Sequence, residues 1–210
     1  MANYEKPDHW SLRAQKEGYP ARSVYKLKEM DEKFGLFRPP SGSAALKVLD
    51  LGAAPGSWSL YALRNFQQKQ DKRCLLTAVD LSPLSRQYDK GLFDGENFCF
   101  IRGDITEAEI REAIHARGPF NLVMSDAAPA TTGNRSVDTL RSLALAEAVL
   151  GYAETALAVG GSLAVKVFQG GDTASILKRI RELFKTGKSF KPEACRSESF
   201  ETYYLGLGKK

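Results

Sequence analysis

A doubly wound, mostly parallel α/β sheet with an antiparallel hairpin at its carboxyl-terminal edge is the fold this sequence predicts, on three observations. From residue 46 onward, short apolar runs alternate with segments of helical periodicity, the pattern of parallel strands covered by helices on both faces. The first run ends in a glycine-bearing turn that opens a helix, as a strand does when it presents a loop at its carboxyl end. The last two runs have only turn residues between them, so they pair antiparallel. A chain of 210 residues, 43% hydrophobic and 26% charged, fills one such domain plus a short appendage.

Residues 8–20 mix aromatic and charged side chains without a long apolar stripe, and read as an appendage packed on or beside the core. Ser23 is a candidate N-cap for a helix in which Leu27, Met30 and Phe34 share one face, and Gly35 stops it. The Pro- and Ser-containing stretch 37–43 is a linker by composition. It divides an amino-terminal appendage and helix over 1–43 from a main domain over 44–210. Strands are expected at 46–51, 74–79, 98–102, 122–125 and 162–168, and helices at 58–66, 85–92, 107–116, 139–157 and 173–184. The closing hairpin is expected from 190–195 and 202–207.

The formal charge of +5 leans toward polyanions, and the lean is uneven: residues 178–210 hold nine Lys/Arg and four Asp/Glu. Cys74, Cys99 and Cys195 are odd in number and far apart, which suits reduced core residues better than bridges. His9 and His115 lack companions at ligand spacing, so no metal site is expected. No run approaches a membrane span, and the start of the chain lacks the apolar stretch of a signal peptide, which makes a cytoplasmic protein the expectation.

The turn Asp50-Leu51-Gly52-Ala53-Ala54-Pro55-Gly56-Ser57-Trp58-Ser59 excludes two neighbours. A dinucleotide fingerprint needs a third glycine, which argues against a nicotinamide oxidoreductase, and a phosphate-gripping loop needs a lysine after its last glycine. The loop therefore suits a ligand without a pyrophosphate. Asp80 and Asp104 close the next two strands and stand beside it; they either receive ribose hydroxyls and an adenine amino group, or merely cap the next helix. Asp126 ends a further strand, and Pro129 delays any helix, leaving the carboxylate to face the cleft. Lys166 lies between valines in a strand covered on both faces, so its amine must reach solvent or sit beside carboxylates. Lys26 and Glu201 would each pass as ordinary exposed residues on their own.

Taken together, five motifs in order resemble the FtsJ-like ribose 2'-O-methyltransferases, the bacterial large-subunit ribosomal RNA group most of all. They are Gly18-Tyr19-Pro20-Ala21-Arg22-Ser23-Val24-Tyr25-Lys26-Leu27, the Asp50 turn, Ser125-Asp126-Ala127-Ala128-Pro129, Val165-Lys166-Val167-Phe168-Gln169-Gly170 and Ser199-Phe200-Glu201-Thr202-Tyr203. The resemblance implies a Rossmann-like sheet that binds S-adenosylmethionine through Gly52, Pro55, Gly56, Trp58, Asp80, Asp104 and Asp126. It implies a catalytic set of Lys26, Asp126, Lys166 and Glu201, with Lys166 as proton acceptor. Glu198 competes for the last role, but Glu201 holds the family's spacing to Tyr203. Ser57 stands where a second glycine is common. The implied reaction is methylation of a ribose 2'-hydroxyl, on a uridine of large-subunit (23S) ribosomal RNA, by a monomer whose partner is RNA or the ribosomal particle. Transfer RNA, a messenger cap, or a non-catalytic role in ribosome assembly are the alternatives. The chemistry suits these residue types: a hydroxyl needs alignment and a base to attack a sulfonium methyl, and no metal. A lysine amine is mostly protonated at neutral pH; burial and a second cation loosen its proton, and carboxylates tighten it.

Overall fold

The computed structural model describes residues 8–38, 45–68, 74–196 and 198–210. Its order is α1 (His9–Lys16), α2 (Val24–Phe34), β1 (Lys47–Leu51), α3 (Ser57–Gln68), β2 (Leu75–Asp80), β3 (Phe98–Arg102), α4 (Ala108–His115), β4 (Phe120–Ser125), α5 (Arg135–Thr155), β5 (Leu157–Phe168), α6 (Thr173–Leu183), β6 (Phe184–Phe190) and β7 (Glu201–Lys209). These strands form one seven-stranded sheet ordered β3-β2-β1-β4-β5-β7-β6. The first five are parallel, and β7 runs antiparallel to both β5 and β6. Strand order reverses between β1 and β4, which opens a crevice at their carboxyl ends.

Side-chain alternation splits the core in two. Val48, Leu122, Met124, Ala164, Tyr203 and Leu205 meet α1, α2 and α3, whereas Leu49, Val123, Leu163, Val165, Val167 and Tyr204 meet α4, α5 and α6. Full burial of residues such as Leu27, Leu60, Leu63 and Phe66 contributes roughly 1.5–3 kcal/mol each. The same parity assigns a face to the charged residues. Lys166 follows Ala164 by two positions and is paired with Tyr203, and Glu201 precedes Tyr203 by two. Both therefore lie on the α2 side of the sheet, and α2 carries Lys26.

Several expected elements differ. Residues 81–91 form no helix; they cross the first loop, with the Ser85 N–H donating to the Pro55 carbonyl at 3.0 Å, and one 3-10 turn comes next at Leu92–Asp94. Lys90 and Gly91 both have positive φ there, which a helix excludes. The edge strand occupies β6, directly after α6, and not 190–195. Lysines at 185 and 188 obscure its alternation and also discourage edge-to-edge pairing. Residues 193 and 194 instead form a turn whose N–H groups donate to Glu29 at 2.7 and 2.9 Å. Helix α5 starts four residues earlier than expected, where the Asn134 side chain accepts from the N–H groups of Ser136 and Val137. Ser23 makes no side-chain cap, while Gly35 ends α2 with φ 67° as expected. The expected division at 43/44 lies outside the described residues, as does most of the linker. Cys74, Cys99 and Cys195 form no disulfide with one another.

Candidate active site

A cavity of about 660 Å³ lies over the carboxyl ends of β1 to β4. Gly52, Asp80, Asp104 and Asp126 line it, together with Leu81, Ile105, Pro129 and Leu145. The volume suits a nucleoside-sized ligand, and the mixture of apolar walls with a few carboxylates suits a flat base on a hydroxylated sugar. Leu81 is 65% exposed, an apolar side chain that a ring in this cavity would cover.

The loop geometry arises from local bonds. Asp80 accepts from the Ala54 N–H at 2.9 Å and from the Ser82 N–H at 2.8 Å, which ties the loop after β1 to the loop after β2. Asp104 accepts from the Thr106 N–H and hydroxyl, both at 2.8 Å, and these bonds hold its carboxyl below the ordinary range. Both carboxylates thus shape their loops as well as lining the cavity, and neither caps an α-helix: no α-helix follows Asp80 directly, and the N-cap position of α4 is Glu107. At Gly52, where φ is +75°, a Cβ would stand 2.5 Å from the Ala127 Cβ; only glycine lets these loops approach.

Pro55, Gly56 and Trp58 belong to the same turn but are not among the residues lining this cavity. Trp58 is buried, and its Nε1–H donates to the Ser23 carbonyl at 2.8 Å. The Ser57 hydroxyl accepts from the Ala21 N–H at 2.9 Å. In the structure these two residues fasten the amino-terminal segment to the start of α3.

Beyond Asp126 the charged residues converge. Lys166 Nζ lies 3.0 Å from Asp126 Oδ1 and donates to the Asp126 carbonyl at 2.6 Å; Lys26 Nζ lies 2.8 Å from Glu201 Oε1. Lys26, Lys166 and Glu201 are each only 8% exposed. Burial alone would raise the Asp126 carboxyl, but Lys166 and Lys26 hold it below the usual carboxylate range. Burial alone would lower Lys26, but Asp126 and Glu201 outweigh it and raise the amine above the ordinary lysine value. Glu198, the competitor for the last position, is exposed. Two amines held between carboxylates at the rim of a nucleoside-sized cavity can orient a hydroxyl and remove its proton.

Sequence reasoning missed two participants. The Tyr203 hydroxyl donates to Asp126 Oδ1 at 2.6 Å, a contact foreshadowed by its position two residues beyond Glu201 on the same face. Asp50 is 1% exposed beneath the loop and accepts from the Ser59 hydroxyl at 2.7 Å through Oδ2, while its Oδ1 has no hydrogen-bond partner among the described residues. Desolvation pushes its carboxyl up to about 7. A carboxylate inside an apolar run was the available signal.

Comparison with known proteins identifies the family and the fold. The FtsJ-like methyltransferase family model matches residues 19–209. A Treponema denticola protein named ribosomal RNA large subunit methyltransferase E is 52% identical over 207 residues, spanning 99% of this chain and 97% of its own. A solved structure described as a ribosomal RNA methyltransferase of Plasmodium falciparum superposes with a TM-score of 0.72 at 22% identity, over 91% of this chain and 98% of that one. Human methyltransferase-like protein 13, solved in complex with SAH, shares the fold with a TM-score of 0.58 at 14% identity, over 87% of this chain and 82% of that one. The chain belongs to the FtsJ-like methyltransferase family.

Proposed function

We propose that this protein methylates a ribose 2'-hydroxyl of large-subunit ribosomal RNA, acting in the cytoplasm with S-adenosylmethionine as methyl donor. The observation that carries this reading is the pairing of Lys26 with Glu201 and of Lys166 with Asp126 beside the cavity. The family and the name of the Treponema denticola relative support the substrate class.

When bound, S-adenosylmethionine supplies a sulfonium-activated methyl group. Asp80 and Asp104 would receive donors from its ribose and adenine, and the Leu81, Ile105 and Leu145 side chains that line the cavity would cover the ring. Lys166 is the group placed to take the 2'-hydroxyl proton, while Asp126 and Tyr203 fix the position of the amine. Lys26, held by Glu201, places a positive charge beside the developing alkoxide. The basic stretch from Lys178 to Lys191 contributes phosphate contacts, so RNA binding weakens steeply with salt.

The test is transfer of label from methyl-labelled S-adenosylmethionine to unmethylated ribosomal particles, free ribosomal RNA or transfer RNA, with alkaline hydrolysis of the product. A 2'-O-methyl group protects the adjacent phosphodiester, so label in alkali-resistant dinucleotides is expected. Label confined to mononucleotides would mean base methylation and overturn the reading.

A further inference from the structure

Past the cluster, on the side away from the nucleoside-sized cavity, three side chains form a stack that takes no part in proton removal. Phe168 ends β5 two residues beyond Lys166 and is paired in register with Glu201. Phe200 immediately precedes Glu201, and the Gln169 N–H pins it by donating to the Phe200 carbonyl at 2.8 Å. The two rings meet edge to face, with centroids 4.8 Å apart at 63°. Arg135 comes in from α5 and sets its guanidinium carbon 5.1 Å from the centre of the Phe200 ring. Phe168 is buried, Phe200 half-buried and Arg135 exposed, so the stack presents its outer members to solvent.

The composition of this stack is informative. Arg135 occupies the first position of a 21-residue helix, where the positive end of the helix disfavours a cation. A cation in that place beside a half-buried aromatic ring provides two surfaces that nucleobases use, the π face and the guanidinium plane. Two residues of extended strand span about 7 Å, which places Phe168 roughly one nucleoside's reach from the Lys166 position. Asp126 divides the region: the cavity for the methyl donor lies on its Asp80 and Asp104 side, and the stack lies on its Lys166 and Glu201 side. An aromatic and cationic shelf on the acceptor side fits a base of the RNA.

We infer that Phe200 and Arg135 form a stacking shelf for a nucleobase of the substrate RNA within one nucleotide of the reacting ribose. This rests on the reading of the protein as an RNA methyltransferase and adds the residues that hold the acceptor. Stacking tolerates any base, so the shelf positions the strand without dictating its sequence.

The experiment uses the full chain, a short single-stranded RNA carrying one 2-aminopurine, and S-adenosylhomocysteine to fill the donor site. Wild-type protein should quench the probe by stacking. Phe200→Leu keeps apolar volume but removes the π face; it should abolish quenching and raise the KM for RNA roughly 10- to 100-fold, with S-adenosylmethionine affinity unchanged. Phe200→Tyr should restore both to within about twofold of wild type. Arg135→Gln, at an exposed position that tolerates change, should raise the RNA KM several-fold and serves if Phe200→Leu fails to fold. The shelf is overturned if Phe200→Leu binds and quenches like wild type, if Phe200→Tyr is as impaired as Phe200→Leu, or if Arg135→Gln leaves RNA binding unchanged. Quenching by a wild-type protein that transfers no methyl group would support the shelf and sink the methyltransferase reading. Transfer that is indifferent to all three variants would do the reverse.

Discussion

The nucleoside-sized cavity and the charged cluster share Asp126 but are built by different means. In the cavity, each carboxylate bonds to backbone N–H groups of nearby loops: Asp80 to Ala54 and Ser82, Asp104 to Thr106. In the cluster, buried ammonium groups meet carboxylates carried by distant elements, α2 against β7 and β5 against the end of β4. Local bonds make a cavity whose shape survives the loss of one side chain's charge. Buried ion pairs make a site in which losing one partner strands the other, at a cost in both chemistry and stability.

That contrast can be broken first at Lys166. Lys166→Ala should lower methyl transfer by about 10²- to 10⁴-fold, the range for a general base, and leave S-adenosylmethionine affinity within about threefold. Single-turnover rates and calorimetric titration measure the two halves; loss of donor binding would mean the regions are not separable. Glu201→Ala should come next, costing roughly 3–5 kcal/mol of unfolding free energy in urea titration because Lys26 is left buried without its partner. Glu201→Gln, which keeps a hydrogen-bond acceptor, should cost visibly less.

On the cavity side, Asp80→Ala should weaken donor binding by roughly tenfold through loss of a charge-assisted bond to the loop, while kcat at saturating donor stays within a few-fold. A collapse of kcat would show that the loop also positions the acceptor. The smallest effect tests a carboxylate that belongs to neither region. Asp50 is raised from the ordinary carboxylate value to about 7 in the folded state. Ionising it therefore costs folding free energy, and its contribution to stability declines as pH climbs from the unfolded value through 7. Asp126 works in the opposite sense: its lowered carboxyl contributes stability above the unfolded value that is lost as pH falls through the folded one. Asp50→Asn should accordingly flatten the fall in Tm between about pH 4 and 7 without altering acid unfolding below about pH 4. An identical pH profile in the variant would remove Asp50 as the source.

Much of this was legible from local pattern. Alternating apolar runs and helical segments specify a parallel sheet because strands buried on both faces must be apolar throughout. Asp80 and Asp126 stood out because each terminates such a run, and Lys166 because it interrupts one. Glycine at 52 was readable as a turn residue, and the structure adds that its hydrogen is what admits Ala127.

Other features were decided only by tertiary contact. Residues 81–91 lose a helix to a backbone bond with Pro55 and to the positive φ at Lys90 and Gly91, and local propensity does not contain that bond. Strand β6 was hidden because an edge strand alternates with lysines instead of reading as an apolar run. Tyr203 was visible as a marker but not as the donor to Asp126, a partner 77 positions away. By itself the sequence determined which residues end strands and which break apolar runs, since those depend on neighbours along the chain. Which lysine meets which carboxylate was settled by the sheet register and by the packing of α2, because both pairs join segments that only the folded chain brings within 3 Å.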